Sequence, residues 1–150
     1  MIKIKIKEIV SPSTLRAMNP RNIQKSITVS LKEIGEKLVK TAKDGIKTSP
    51  KTYKRYFYPG IGYVRSSRPG TYPADQSGSL RRSVATRTEG YRMYFGAKKD
   101  YAKYLQQTNS PEKLSTWIRI APRPFLTLAH NQNAPQFGDI MEENINKLTK

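Results

Sequence analysis

Ile23, Ile27, Leu31, Ile34, Leu38, Ala42 and Ile46 recur every three or four positions, which lays one apolar stripe along a helix. Asn19 followed by Pro20 marks where that helix begins. Asn is a favoured N-cap, and proline suits the first helical position, where a backbone N–H would have no partner anyway. The spacing predicts a helix over 20–48, a rod of about 42 Å at 1.5 Å per residue. A chain of 150 residues covers such a rod only if other elements pack along it. Lys25, Lys32, Glu36, Lys40 and Lys43 fall on the opposite face, which therefore meets water or an acidic partner.

The rest of the chain has to supply that cover from modest means. Hydrophobic residues are 36% of the sequence, and a single domain of this size buries roughly two-thirds of its unfolded surface. There is no cysteine, so disulfides and thiolate chemistry play no part, in keeping with synthesis in a reducing cytoplasm. Ile2, Ile4 and Ile6 alternate with Lys3, Lys5 and Lys7, the period-two pattern of a strand with one wet face. That alternation predicts a strand within 1–10, and neither a signal peptide nor a membrane span.

After the long helix, 49–79 reads as a loop or arm. It holds Pro50, Pro59, Pro69 and Pro73 with Gly60, Gly62, Gly70 and Gly78. Tyr53, Tyr56, Phe57, Tyr58, Tyr63 and Tyr72 are set among them. Long loops in compact domains are usually functional or disordered. So many aromatic rings argue for a loop, or a long hairpin, that orders by docking on neighbouring subunits. The region 80–120 reads as a sheet with a short helix: strands over 80–88 and 91–97 about a Glu89-Gly90 turn, then a helix over 101–107 capped by Asp100, then a strand over 116–120. Val84, Met93 and Phe95 form the buried side of the hairpin. From 122 to 150 the pattern is helical, with Pro124 at a helix start and Phe125, Leu128 and Ala129 facing inward. Phe137, Ile140, Met141, Ile145 and Leu148 form the inner stripe of a terminal helix.

Charge is the dominant bulk property. Twenty-eight basic and 11 acidic residues give +17, concentrated in the first hundred positions. Such a field attracts nucleic acid and acidic protein surfaces alike. Catalytic signals are weak by comparison. His130, the single histidine, has no partner pattern of a triad or metal site, and Glu142-Glu143 are adjacent on a helix, where neighbours point apart. Gly60-Ile61-Gly62 lacks the Lys-Ser/Thr of a phosphate loop. No enzyme, cofactor or metal chemistry is expected. Lys51, Lys54, Arg55, Arg65, Arg68, Arg81 and Arg82 are the candidate contacts to DNA or to an acidic partner. Tyrosines interleaved with those cations could stack bases, and Tyr with Arg is equally the composition of protein interfaces.

Three segments carry a resemblance when taken in order. The first is Pro69-Gly70-Thr71-Tyr72-Pro73-Ala74 leading to Ser77-Gly78-Ser79-Leu80-Arg81-Arg82-Ser83. The second is Asp100-Tyr101-Ala102-Lys103-Tyr104-Leu105, and the third Ala121-Pro122-Arg123-Pro124-Phe125-Leu126. Together they resemble the small tail-completion, or head-tail connector, proteins of long-tailed bacteriophages over roughly 19–129. The chain departs from that pattern at Gln106-Gln107-Thr108-Asn109, where the family commonly has an acidic residue and Gly-Thr. The resemblance implies an α+β fold, with a curved antiparallel sheet packed on a long N-terminal helix, short C-terminal helices and a long extended loop. It implies a non-catalytic virion protein made in the host cytoplasm and assembled as a homo-oligomeric ring at the head-tail junction. Its partners would be the portal-side adaptor, other neck proteins and tail proteins, with DNA in the channel and no membrane. A plainer reading of the first segment is turn chemistry followed by a core leucine. A second function class, a basic nucleic-acid-binding protein acting outside the virion, rests on the charge and on Tyr56 beside Arg55.

Overall fold

The computed structural model describes residues 2–5, 19–106 and 121–149. The architecture is α+β: a long helix packed with small antiparallel sheets and a C-terminal helical segment. Helix α1 spans Pro20–Thr48, matching the expected bounds. The Asn19 side chain accepts a hydrogen bond from the Arg21 N–H at 3.0 Å, and Asn19 O takes the N–H groups of Asn22 and Ile23. These bonds satisfy donors that a helix start otherwise leaves open. Ser49 is extended and Pro50 follows it, which ends the helix. Leu31, Ile34, Leu38, Ala42 and Ile46 are fully buried, and each of the larger ones contributes about 1.5–3 kcal/mol through burial.

The elements around α1 supply its cover. Strands β1 (Ile2–Lys5), β4 (Val84–Glu89) and β5 (Arg92–Ala97) form a three-stranded antiparallel sheet in the order β1-β5-β4. Between β4 and β5 lies a two-residue loop, Gly90-Tyr91. Gly90 has φ +55°, and Glu89 is paired with Arg92. Glycine at the first loop position is what a type II′ hairpin needs. Val84, Met93 and Phe95 are buried, as the alternation predicts. Gly35 is what lets α1 approach this hairpin. A β-carbon there would lie 3.0 Å from both Met93 Sδ and Thr86 Oγ1, tight enough that these neighbours would have to shift by a few tenths of an ångström.

One predicted strand is partly helix. Residues 80–83, expected to begin a strand, belong to the short helix α2 (Ser79–Ser83), and β4 starts only at Val84. Gly78 precedes it at φ +72°. The turn is closed by Arg82 N–H to Gly78 O and by Ser83 Oγ to Leu80 O, which puts Leu80 into the core. Within 49–79, read as a loop or a long hairpin, the structure has the hairpin. Strands β2 (Arg55–Tyr58) and β3 (Gly62–Arg65) pair as a second, two-stranded antiparallel sheet. Bonds from Tyr53 N–H to Ser66 O and from Ser66 N–H to Lys54 O extend this ribbon at its base.

Helix α3 (Ala102–Gln106) follows β5, and its first turn closes through Ala102 N–H to Lys99 O. The strand expected at 116–120 and positions 6–10 of the expected N-terminal strand lie outside the described residues. From Phe125 to Thr149 the chain is helical: α4 (Phe125–Asn133), one 3-10 turn at Ala134–Gln136 containing Pro135, and α5 (Phe137–Thr149). Proline lacks the N–H that an unbroken α-helix would use there. The inner face of α4 is Phe125, Leu126 and Ala129, whereas Leu128, expected inside, is only half-buried. Polar bonds lock this segment along α1. Asn133 Nδ2 donates to Thr41 Oγ1, Lys37 Nζ to Gln136 Oε1, and Asn144 Nδ2 to Glu33 Oε2.

Candidate functional site

A cleft of about 580 Å³ opens between the β2–β3 ribbon, the segment from Pro73 to Leu80, and α3. Tyr53, Tyr56, Tyr58, Tyr101, Leu105 and Arg123 are among the residues that line it. The three sequence segments singled out above meet at its floor. Gly70 N–H donates to Pro122 O at 2.8 Å, joining the first to the third. Arg123 N–H donates to Leu105 O at 2.7 Å, joining the third to the second.

Arg123 is the centre of this junction and is only 8% exposed. Its Nε donates to Ser67 O and Ser67 Oγ, its Nη2 to Ser67 O at 2.9 Å, and its Nη1 to Ala121 O at 2.9 Å. The guanidinium thus ties the foot of the β2–β3 ribbon to the entry of α4. Burial lowers its pKa from the usual value, and the nearby Tyr56 and Tyr53 act in the opposite direction. Pro124 and Phe125 follow at the helix entry, with the Phe125 ring fully buried.

Asp75 organises the other wall. One carboxylate oxygen accepts the Gly78 N–H at 2.8 Å, and the other takes Arg81 Nε at 2.7 Å. This fixes the turn that sends Leu80 inward and removes Arg81 from the set of free cations. Gln76 Nε2 donates to Arg65 O, and the Tyr58 hydroxyl lies 3.3 Å from Ser77 Oγ. The inner face of the ribbon is therefore held against the 75–77 segment. Burial raises the pKa of Tyr56 and of Tyr101; for Tyr56, the nearby Gln76 side chain and the charge of Arg123 pull the other way.

The aromatic residues expected to act together divide into three groups. Tyr53, Tyr56 and Tyr58 belong to the cleft. Phe57 and Tyr63 stand on the outer face of the ribbon. Tyr72 lies against α1, its ring where a β-carbon on Gly45 would sit, and its hydroxyl donates to Gln132 Oε1 at 3.0 Å. Burial raises its pKa too. Pro69 and Gly70 form an exposed turn with Gly70 at φ +77°, and Ala102 packs in the core. Lys51, Lys54, Arg55, Arg65, Arg68 and Arg82 are exposed.

Residues that the sequence did not single out hold the junction together. Ser67 is 56 positions from Arg123 and gives no local signal. Asp75 is the one acid between Asp44 and Arg81, a clue that was legible. Gln106, where the resembled family commonly has an acid, presents Oε1 to the Leu126 N–H at 2.8 Å, and its Nε2 reaches Thr127 Oγ1. A side-chain oxygen at that place answers an open donor at the start of α4, work that a carboxylate could equally do.

Chemically, the cleft presents phenol and serine hydroxyls, the Gln76 amide, the Asp75 carboxylate already engaged by Gly78 and Arg81, and the cations Lys54, Arg55 and the engaged Arg123. His130 packs edge-on against Phe137, away from these groups. Among the described residues no three His, Cys, Asp or Glu side chains gather as a metal site, and no helix is long and apolar enough to cross a membrane. Comparison with protein-family models, with curated proteins and with solved structures finds no match to this chain.

Proposed function

We propose that this chain is a structural subunit of a bacteriophage neck, a tail-completion or head-tail connector ring that joins the portal side of the capsid to the tail around the DNA channel. The observation that carries the reading is the meeting of the three motif segments through Gly70–Pro122 and Arg123–Leu105. Segments far apart in sequence that close on one another form a structural unit, which makes their shared order in the resembled family physically coherent. In this reading the antiparallel sheet curves over α1 and the β2–β3 ribbon is an arm toward the next subunit of a homo-oligomeric ring. The wet, lysine-bearing face of α1 meets acidic adaptor or tail proteins.

The test is electron microscopy of purified phage particles labelled with gold-tagged antibody to this protein. Gold at the head-tail junction is the expected result. Particles free of gold, with the protein abundant in infected cells, would overturn the assignment.

A further inference from the structure

The outer face of the β2–β3 ribbon forms a second surface, which meets the cleft at Arg55. Strand alternation and register determine what it contains. Arg55 is paired with Arg65 and Phe57 with Tyr63, and these four side chains project on the side opposite Tyr56 and Tyr58. Phe57 is 61% and Tyr63 68% exposed. Their rings meet edge to face at 5.6 Å, and the Arg55 guanidinium lies 4.6 Å over the Tyr63 ring.

Two features of this face are unfavourable in the free protein. Like charges directly opposite on paired strands destabilise a ribbon, and large rings left in water forgo their burial. Within the described residues the Phe57–Tyr63 and Arg55–Tyr63 contacts relieve them only in part. None of the ion pairs described involves Arg55 or Arg65, and the sequence has no acid between Asp44 and Asp75 while carrying Lys47, Lys51, Lys54, Arg55, Arg65 and Arg68. Of these, Arg55 and Arg65 lie on the ribbon and Lys54 beside its base.

We propose that this face binds single-stranded nucleic acid, with phosphates held between Arg55 and Arg65 and bases stacked on Phe57 and Tyr63. The two residue pairs lie about 6.6 Å apart along the ribbon, at roughly 3.3 Å per residue. One nucleotide can therefore place its phosphate at the first pair and its base at the second. Ring faces with flanking cations accept any base, so the binding is independent of sequence. A duplex offers the same phosphates and keeps its base faces stacked away, so the aromatic pair favours a single strand. This proposal does not depend on the neck assignment. It also differs from the sequence expectation for Tyr56, which sits on the cleft side of the ribbon.

The test is fluorescence anisotropy with the full chain and a labelled oligothymidine, against a duplex of equal length and polyglutamate as competitors. Expected results are salt-dependent binding to the oligothymidine, preferred over duplex. Phe57→Ala with Tyr63→Ala should weaken it by about tenfold or more, while Phe57→Trp with Tyr63→Trp retains it. Arg55→Ala with Arg65→Ala should reduce the slope of log K against log salt by about 1.4, at roughly 0.7 per single-strand phosphate contact. All these side chains are exposed, so the variants should melt like the parent. Full binding in the double-alanine aromatic variant would overturn the proposal. Equal affinity for duplex, or displacement by polyglutamate as effective as by unlabelled oligonucleotide, would do the same and mark the face as a docking site for duplex or acidic protein.

Discussion

Replacing Arg123 by alanine tests whether one guanidinium holds the ribbon to the body of the protein. The side chain makes four hydrogen bonds, three of them to Ser67 and one to Ala121 O. Charge-assisted bonds contribute about 1.5–3 kcal/mol each on a net basis. Three share one carbonyl and its own hydroxyl, so they do not add. The buried charge also carries a desolvation cost, visible as its lowered pKa. Truncation removes that cost and leaves the Ser67 carbonyl and hydroxyl, both buried, without the donor they use now. A net loss of about 3 kcal/mol is expected, near the low end for breaking a buried charged network. For a domain of this size that shifts the thermal midpoint by roughly 6–12 °C. Circular dichroism would measure the global effect, and limited proteolysis between β2 and β3 would detect local release of the ribbon. Arg123→Lys, which keeps the charge and loses the fork, should recover less than half of the loss. Ser67→Ala should cost only about 1 kcal/mol, because the carbonyl still accepts. A midpoint within about 2 °C of the parent, with no faster cleavage of the ribbon, would refute the argument.

The fold makes further predictions. Gly35→Ala should destabilise by about 1–3 kcal/mol through overpacking against Met93 and Thr86. Gly138→Ala, with open space around its β-carbon, should stabilise by about 0.5–1 kcal/mol through helix propensity; chemical denaturation compares the two. Tyr56, Tyr72 and Tyr101 all have pKa values raised by burial above the ordinary 10.0. A phenol that holds its proton more tightly when folded gives stability that is complete below pH 10 and lost as pH rises through the folded value. Denaturation midpoints should therefore hold steady to about pH 10 and fall above it, and Tyr72→Phe should lessen that fall.

How much of this was legible in the sequence follows from how local the causes are. Helix α1 could be read residue by residue, because its cap, its first-turn proline and its stripe all lie within the helix or beside it. The β4–β5 hairpin was legible for the same reason, through alternation about Gly90. Residues 80–83 were misread because Leu-Arg-Arg-Ser-Val alternates like a strand. The deciding contacts come from Asp75, outside that window. The β2–β3 ribbon was legible only as one of two alternatives, a loop or a long hairpin, because Pro59, Gly60 and Gly62 at the tip give the whole stretch the composition of a loop. For the candidate site, the Tyr and Arg content announced a surface of interest. Which rings face the cleft and which face outward depends on pairing register, and a run such as Arg-Tyr-Phe-Tyr carries no sign of that. The Arg123–Ser67 contact has no local trace at all.

That contact has one more consequence. Three of the four Arg123 bonds end on main-chain oxygens, of Ser67 and Ala121. A main-chain oxygen is the same whichever amino acid bears it, so the guanidinium recognises a path of the chain and is almost blind to the letters along that path. Substitutions at 121, which offers only its main-chain oxygen, should therefore leave the joint intact, whereas at 67 the fully buried side chain restricts replacement to small residues.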